Sequence, residues 1–211
     1  TYRDTLVLVL EDCGGVSLDD WLEEGISAGA AVFPLPEFLK LAGQIVAALA
    51  AIHAAGVIHK NLNPANIVVN PATGVVKVID FGLATTLSRE TPSLQTVQRL
   101  EGALAYLSPE QTGRMSRTVD YRTDFYSLGV TFYELLTGRL PFTAADPLEL
   151  IHAHLAKPPI APRLLNPAIP PVVSDLVLKL LAKAPEDRYQ SARGVQRDLE
   201  ACLRSWQCQG Q

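Results

Sequence analysis

Eighteen consecutive residues, positions 41–58, carry no Asp, Glu, Lys or Arg. A stretch of that length either crosses a bilayer, for which it meets the lower limit, or forms the core helix of a globular domain. The side chains decide for the second. The run is rich in Ala rather than Leu and Ile, it contains Gln44 and His53, and its larger apolar residues fall at Phe38, Leu41, Ile45, Leu49 and Ile52. That spacing puts one apolar stripe on a helix and leaves a polar face opposite. No membrane span is therefore expected. A chain of 211 residues with 48% hydrophobic content can bury one sizeable core around such a helix, which argues for a single globular unit.

The flanking segments read as short strands and further helices. Residues 5–10 form a Val- and Leu-rich run that ends at Glu11, Asp12, Gly14 and Gly15, a strand entering a turn. Ser17 and Asp20 have the spacing of a cap for a short helix through Leu22. Gly56 is a terminator for the long helix. Residues 67–70 and 75–79 are β-rich and separated by Pro71, Ala72, Thr73 and Gly74, which predicts a hairpin. From residue 82 to 113 the chain is polar and has no periodic apolar face, so a long surface loop is expected. Helices follow at about 123–137, closed by Gly138, then 147–156 behind Asp146 and Pro147, 172–183, and 192–203 behind Ser191.

Eighteen basic and 22 acidic side chains give a net charge of -4, which offers no electrostatic footprint for nucleic acid. Cys13, Cys202 and Cys208 are odd in number and widely spread. Free thiols in a reducing, cytoplasmic compartment are the expectation. The chain opens at Thr1 with neither an initiator methionine nor a basic and apolar leader, so a fragment without a signal peptide is expected.

Three ordered motifs carry the chemistry. The first is His59-Lys60-Asn61-Leu62-Asn63-Pro64-Ala65-Asn66, the second Asp80-Phe81-Gly82 beyond the hairpin, and the third Gly102-Ala103-Leu104-Ala105-Tyr106-Leu107-Ser108-Pro109-Glu110 at the end of the polar stretch. Alone, Asp-Phe-Gly could be an ordinary turn. Together and in this order they resemble the catalytic loop, metal-binding triplet and substrate-side loop of the eukaryotic-type Ser/Thr protein kinase superfamily. The resemblance covers the chain from Thr5 to about Leu203. It is closest to the kinase-like domain of large bacterial multi-sensor hybrid histidine kinases, on Ser108 to Met115 and Asp120 to Val130.

The resemblance implies ATP and Mg as cofactors, with Asn66 and Asp80 as metal ligands through hard oxygens. It implies roles for His59, Asn61 and Asn63 in the catalytic loop, and structural roles for Phe81, Gly82, Glu110, Asp124 and Arg188. Asp124 would brace the loop backbone, and Arg188 would pair with Glu110 in the bidentate geometry that guanidinium and carboxylate favour. Residues 8–15 resemble the last small-lobe strand and the hinge, though any apolar strand before Gly-Gly would pass the same test. In that register Leu10 is the gatekeeper, the backbone of Glu11 and Cys13 meets adenine, and Val68 and Ile79 form part of its floor.

The fold expected on this resemblance is mainly α: a kinase-like large lobe, a helical bundle with a short β-hairpin, with the small lobe missing except its last strand and hinge. Residues 1–16 are assigned to that strand and hinge, 17–205 to the large lobe, and 206–211 to a tail or linker.

The sequence also departs from the family. Asn61 stands at the position of the catalytic Asp, Asn63 where most Ser/Thr kinases carry a phosphate-contacting Lys, and Ala103 where they carry a Thr. Phosphoryl transfer from ATP to protein hydroxyls is therefore expected to be impaired, and the alternative is a pseudokinase acting as a regulatory or docking module. Expected partners are ATP and a protein substrate or regulatory protein, with downstream signalling domains covalently linked in the full-length protein. His152 and His154, two apart on a helix, are expected at surface or groove positions rather than as a metal pair. Thr85, Thr86, Ser88, Thr91, Ser93 and Thr96 are either phosphorylation sites or part of a solvated loop.

Overall fold

The computed structural model describes residues 11–27, 33–86, 103–115 and 117–209. The expected strand over 5–10, the gatekeeper Leu10 and residues 87–102 of the polar stretch lie outside them.

Helix α1 (Leu18–Ser27) starts where Ser17 Oγ accepts the Asp20 N–H at 3.1 Å and donates to the Asp20 carboxylate at 2.7 Å, satisfying one orphan donor of the first turn. The uncharged run lies in α2 (Leu35–Ala54), opened by prolines and closed at Gly56, whose φ of 72° few residues but glycine tolerate. By length and apolarity alone α2 could cross a membrane. Here Phe38, Leu39, Leu41, Ala42, Ile45, Val46 and Leu49 are buried in the protein core.

The centre of the domain is α3 (Arg122–Thr137), buried on nearly every side although it carries Thr123, Asp124, Ser127 and Thr131, each of which is hydrogen-bonded there. Phe132 meets Phe38 of α2 edge to face, with ring centroids 5.3 Å apart. The single turn α5 (Pro162–Leu165) and α6 (Pro171–Leu180) pack on α3, α4 (Pro147–Ala156) meets it where His154 touches Tyr126, and α7 (Ala192–Gln209) lies against α2 and α6. Gly129 is where α3 and α6 touch, since a Cβ there would stand 2.8 Å from Leu180 Cβ.

The expected architecture needs correcting in its β structure. The hairpin of β3 (Ile67–Val69) and β4 (Val76–Val78) does not stand alone. β1 (Val16–Ser17) adds to it, antiparallel, in the order β1-β3-β4, with Val16 opposite Val69 and Val68 opposite Lys77. A second ladder joins β2 (Val57–Ile58) to β5 (Thr85–Thr86). Strands of two residues carry no alternation for a sequence pattern to register.

The expectation of a surface loop over 82–113 is also corrected for its described ends. Two 3-10 turns occupy Ala103–Tyr106 and Pro109–Thr112, and Leu107, Ser108, Pro109, Glu110 and Thr112 are buried. Polar residues hide there because each finds a partner.

Candidate active site

β2 delivers the chain to His59, which is wholly buried and bonds through Nε2 to the Ile79 carbonyl at 2.9 Å. Asp124, in the first turn of α3, is equally buried and accepts the N–H of His59 at 3.0 Å and of Lys60 at 2.8 Å. His53, on the last turn of α2, completes its shell at 2.8 Å. One carboxylate thus ties two helices to the start of the 59–66 loop, and three donors offset the cost of burying it. Lys60 has a left-handed backbone, φ 64°, which costs a non-glycine residue on the order of 1 kcal/mol.

Beyond it the asparagines interlock. Asn63 Oδ1 accepts the Asn66 N–H at 3.2 Å and so caps the 3-10 turn Pro64–Asn66. Its Nδ2 reaches back to the Asn61 carbonyl at 3.2 Å and to Asn61 Oδ1 at 3.1 Å. Asn66 Nδ2 donates to the same carbonyl at 2.9 Å, and Asn61 Nδ2 donates to Asp80 Oδ2 at 3.3 Å. The β3–β4 pairing carries Asn66 and Asp80 to the same end of the hairpin, where Ile79 N–H bonds the Asn66 carbonyl at 2.9 Å. Asp80 is itself left-handed, φ 60°, and Gly82 N–H closes onto its Oδ1 at 3.1 Å. Phe81 is 47% exposed and stands edge-on to His59 at 4.9 Å.

These residues suit a hard divalent cation. Asp80 presents an exposed carboxylate, and Asn66, with its NH2 committed to Asn61, keeps its amide oxygen as the acceptor. Among the described residues no three His, Cys, Asp or Glu side chains gather. A cation held here would complete its shell with oxygens of a bound ligand or water.

Of the expected adenine contacts, Val68 and Ile79 are half-buried and Cys13 is partly exposed. The Cys13 carbonyl is taken by Asn70 Nδ2 at 2.7 Å. Glu11 is exposed, and its side chain pairs with Lys77, which lowers the carboxyl pKa through that hydrogen bond and the lysine's charge. Gly15 must be glycine for this segment to lie on β3, because a Cβ would fall 2.8 Å from the Val69 carbonyl oxygen.

On the opposite side of the loop, Glu110 and Arg188 form a buried bidentate pair at 2.6 and 2.8 Å. Arg188 also donates to the carbonyls of Ala182, Arg122 and Lys183 and lies 4.9 Å over the Tyr126 ring. Tyr106 donates to Glu134 at 2.5 Å, and burial raises both their pKa values.

Sequence reasoning missed His53, Gln111 and this Tyr106–Glu134 pair. His53 was visible only as a polar interruption of an apolar helix, and the others join residues far apart in the chain. The expected surface or groove position of His154 is corrected: the residue is wholly buried, packed edge-on against Tyr126 and Phe142.

The model of the protein kinase domain family matches residues 1–199. Serine/threonine-protein kinase PksC of Streptomyces coelicolor is 38% identical over 200 residues, which are 95% of this chain and 35% of that protein. Serine/threonine-protein kinase PknB of Mycobacterium tuberculosis is 38% identical over 197 residues, 91% of this chain and 29% of that protein. Hybrid signal transduction histidine kinase G of Dictyostelium discoideum is 59% identical over 95 residues, 45% of this chain and 3% of that protein. The chain thus spans about a third or less of the length of these curated relatives. The family match begins at residue 1, which overturns the expectation of a large lobe whose small lobe is missing. That expectation rested on where the chain begins, which is no evidence about the domain.

Proposed function

We propose, from the premise that the chain belongs to the protein kinase family, that it is a Ser/Thr kinase-like domain that binds ATP with Mg and transfers phosphate poorly. Asp80 and Asn66 would hold the metal. The backbone of Glu11 and Cys13, the side chain of Leu10, and the floor of Val68 and Ile79 would hold the base. Mg, when bound, supplies neutralisation of the phosphate charge.

The observation that carries this reading is the direction of one hydrogen bond: Asn61 donates to Asp80. At position 61 a substrate hydroxyl needs a group that accepts its proton. A carboxamide oxygen is far too weak a base, and Asn61 Oδ1 already accepts from Asn63. Loss of such a base costs on the order of 100- to 10,000-fold in rate. Asn61 and Asn63 therefore hold one another and the metal-ligand pair in place without supplying a proton acceptor.

A regulatory or docking module is the second reading. The buried scaffold of Asp124, Glu110 and Arg188 supports it, since its donors and acceptors are satisfied while the transfer residues differ. The hybrid-kinase stretch, 59% identical over 95 residues, supports a place beside covalently linked signalling domains. On this reading residues 1–16 carry strand and hinge, 17–205 the helical lobe, and 206–211 lead out of it.

Transfer of labelled phosphate from ATP to a generic protein, measured for the full-length protein with Asn61 and with Asn61→Asp, tests the choice. The aspartate is expected to raise transfer by about 100-fold or more. Robust transfer with Asn61 in place overturns the impaired-kinase reading. Nucleotide binding without transfer in both forms favours the docking module.

A further inference from the structure

Gln111 follows Ser108-Pro109-Glu110 in the chain. Its side chain lies between the 59–66 loop and the 103–112 segment. Nε2 donates to the Lys60 carbonyl at 2.9 Å, across 51 positions of chain. Oε1 accepts the Ser108 N–H at 3.2 Å, Ser108 Oγ at 2.9 Å and Thr123 Oγ1 at 3.2 Å. A backbone N–H can only donate and a carbonyl only accept, so the amide fits in this orientation and not flipped. Ser108 and Thr123 are completely buried, which fixes the anchored end.

The Lys60 carbonyl belongs to the peptide that leads into Asn61. That peptide is held at both edges: Gln111 takes its oxygen, and its N–H, which is that of Asn61, meets His59 Nδ1 at 3.3 Å. Lys60 needs such restraint because its left-handed backbone persists only where its surroundings determine it. Asp124 secures the Lys60 N–H. Gln111 secures the other side of the same residue.

We propose that Gln111 is a positioning residue that fixes the Lys60–Asn61 peptide and thereby couples the 103–112 segment to the orientation of residue 61. When the segment is seated by Glu110 on Arg188, Gln111 holds the loop in register. When the segment shifts, the peptide loses its acceptor-side restraint and Lys60 can leave the left-handed region. The catalytic meaning of this coupling rests on the function proposed above. The coupling itself does not.

Two variants separate a positioning role from a merely structural one. Gln111→Glu keeps an oxygen for Ser108 and Thr123 but sets a second acceptor against the Lys60 carbonyl in place of the donor, so that bond is broken, and Gln111→Met removes both ends while keeping length. Amide hydrogen exchange of the full-length protein is expected to quicken by about tenfold at residues 60–63, the weight of one hydrogen bond, in either variant. Exchange in the middle of α3 is expected to stay unchanged in Gln111→Glu. In an Asn61→Asp background the same change is expected to lower kcat by about tenfold while KM for ATP holds. Unchanged exchange at 60–63 in whichever variants fold overturns the proposal. So does exchange that quickens equally in α3, because that is a loss of global stability. If Asn61→Asp transfers no phosphate, the functional reading fails while the exchange arm still decides the coupling.

Discussion

Asn61 Nδ2 lies 3.3 Å from Asp80 Oδ2, so a neutral donor faces the carboxylate. In Asn61→Asp two carboxylates meet at about that separation, and like charges so close disfavour one another. A divalent cation relieves that repulsion. The variant is expected to be destabilised by ~1 kcal/mol or less without cation, and to gain more from Mg with ATP than the parent does. Thermal unfolding of both forms, with and without Mg and ATP, checks this. An equal gain in the two forms counts against Asp80 as a ligand.

Arg188 and Glu110 are 2% and 1% exposed, and removing either leaves the other charged and buried. Arg188→Met and Glu110→Leu are each expected to cost about 3–5 kcal/mol. Their combination should cost well below the sum, since no unpaired charge remains. Urea unfolding of the three variants reads this. Additive losses would mean that the pair acts through its surroundings and not as a pair.

Two helical glycines make a matched comparison. At Gly129 a methyl group would meet Leu180 Cβ at 2.8 Å and the Leu180 carbonyl carbon at 3.2 Å. Gly129→Ala must push α6 away and is expected to destabilise by about 1–3 kcal/mol. Gly43, inside α2, has nothing within 4 Å of such a methyl. Gly43→Ala is expected to stabilise by about 0.5–1 kcal/mol from helix propensity alone. Thermal melts of the two proteins should move in opposite directions.

The sequence made legible what depends on short spacing. His59 to Asn66, then Asp80 across a hairpin, could be read because a rigid turn puts fixed residue types at fixed intervals. The α2 and α3 helices showed in the closing glycines, Gly56 and Gly138, and α4 in its Asp146-Pro147 start. What escaped depends on folding. β1, β2 and β5 are too short to show a period, and residues 107–112 look like solvated loop until Arg188, Thr123 and Lys60 arrive from distant segments to bond them. Gln111 lies inside a legible motif, yet its partner is 51 residues away.

His154 gives the chain a pH-dependent weakness. Its ring is wholly enclosed, with Nδ1 3.0 Å from the Tyr126 hydroxyl and the Leu104 carbonyl facing the ring outside full hydrogen-bond geometry to Nε2, where it weakly opposes the downward shift. Lys183 faces it from beyond the end of α6, donating to the carbonyls of Ala153 and His154 at 3.1 and 2.8 Å. Burial first, and the Lys183 charge second, push the imidazole pKa down from 6.5 to about 4. The neutral ring is thus the folded form, and between those values the unfolded chain binds a proton that the folded one does not. Stability from this residue is complete above pH 6.5 and is lost as pH falls through 4, by about 3 kcal/mol in all. Carboxylates titrate in the same range, so the informative quantity is the difference between the parent and His154→Gln. At about pH 7.5 the variant should be the less stable, having lost ring packing against Tyr126 and Phe142. As pH falls to about 4.5 that gap should close or reverse in urea unfolding, because the glutamine takes up no proton. A gap that stays constant across the range would show that His154 is not held neutral by its burial.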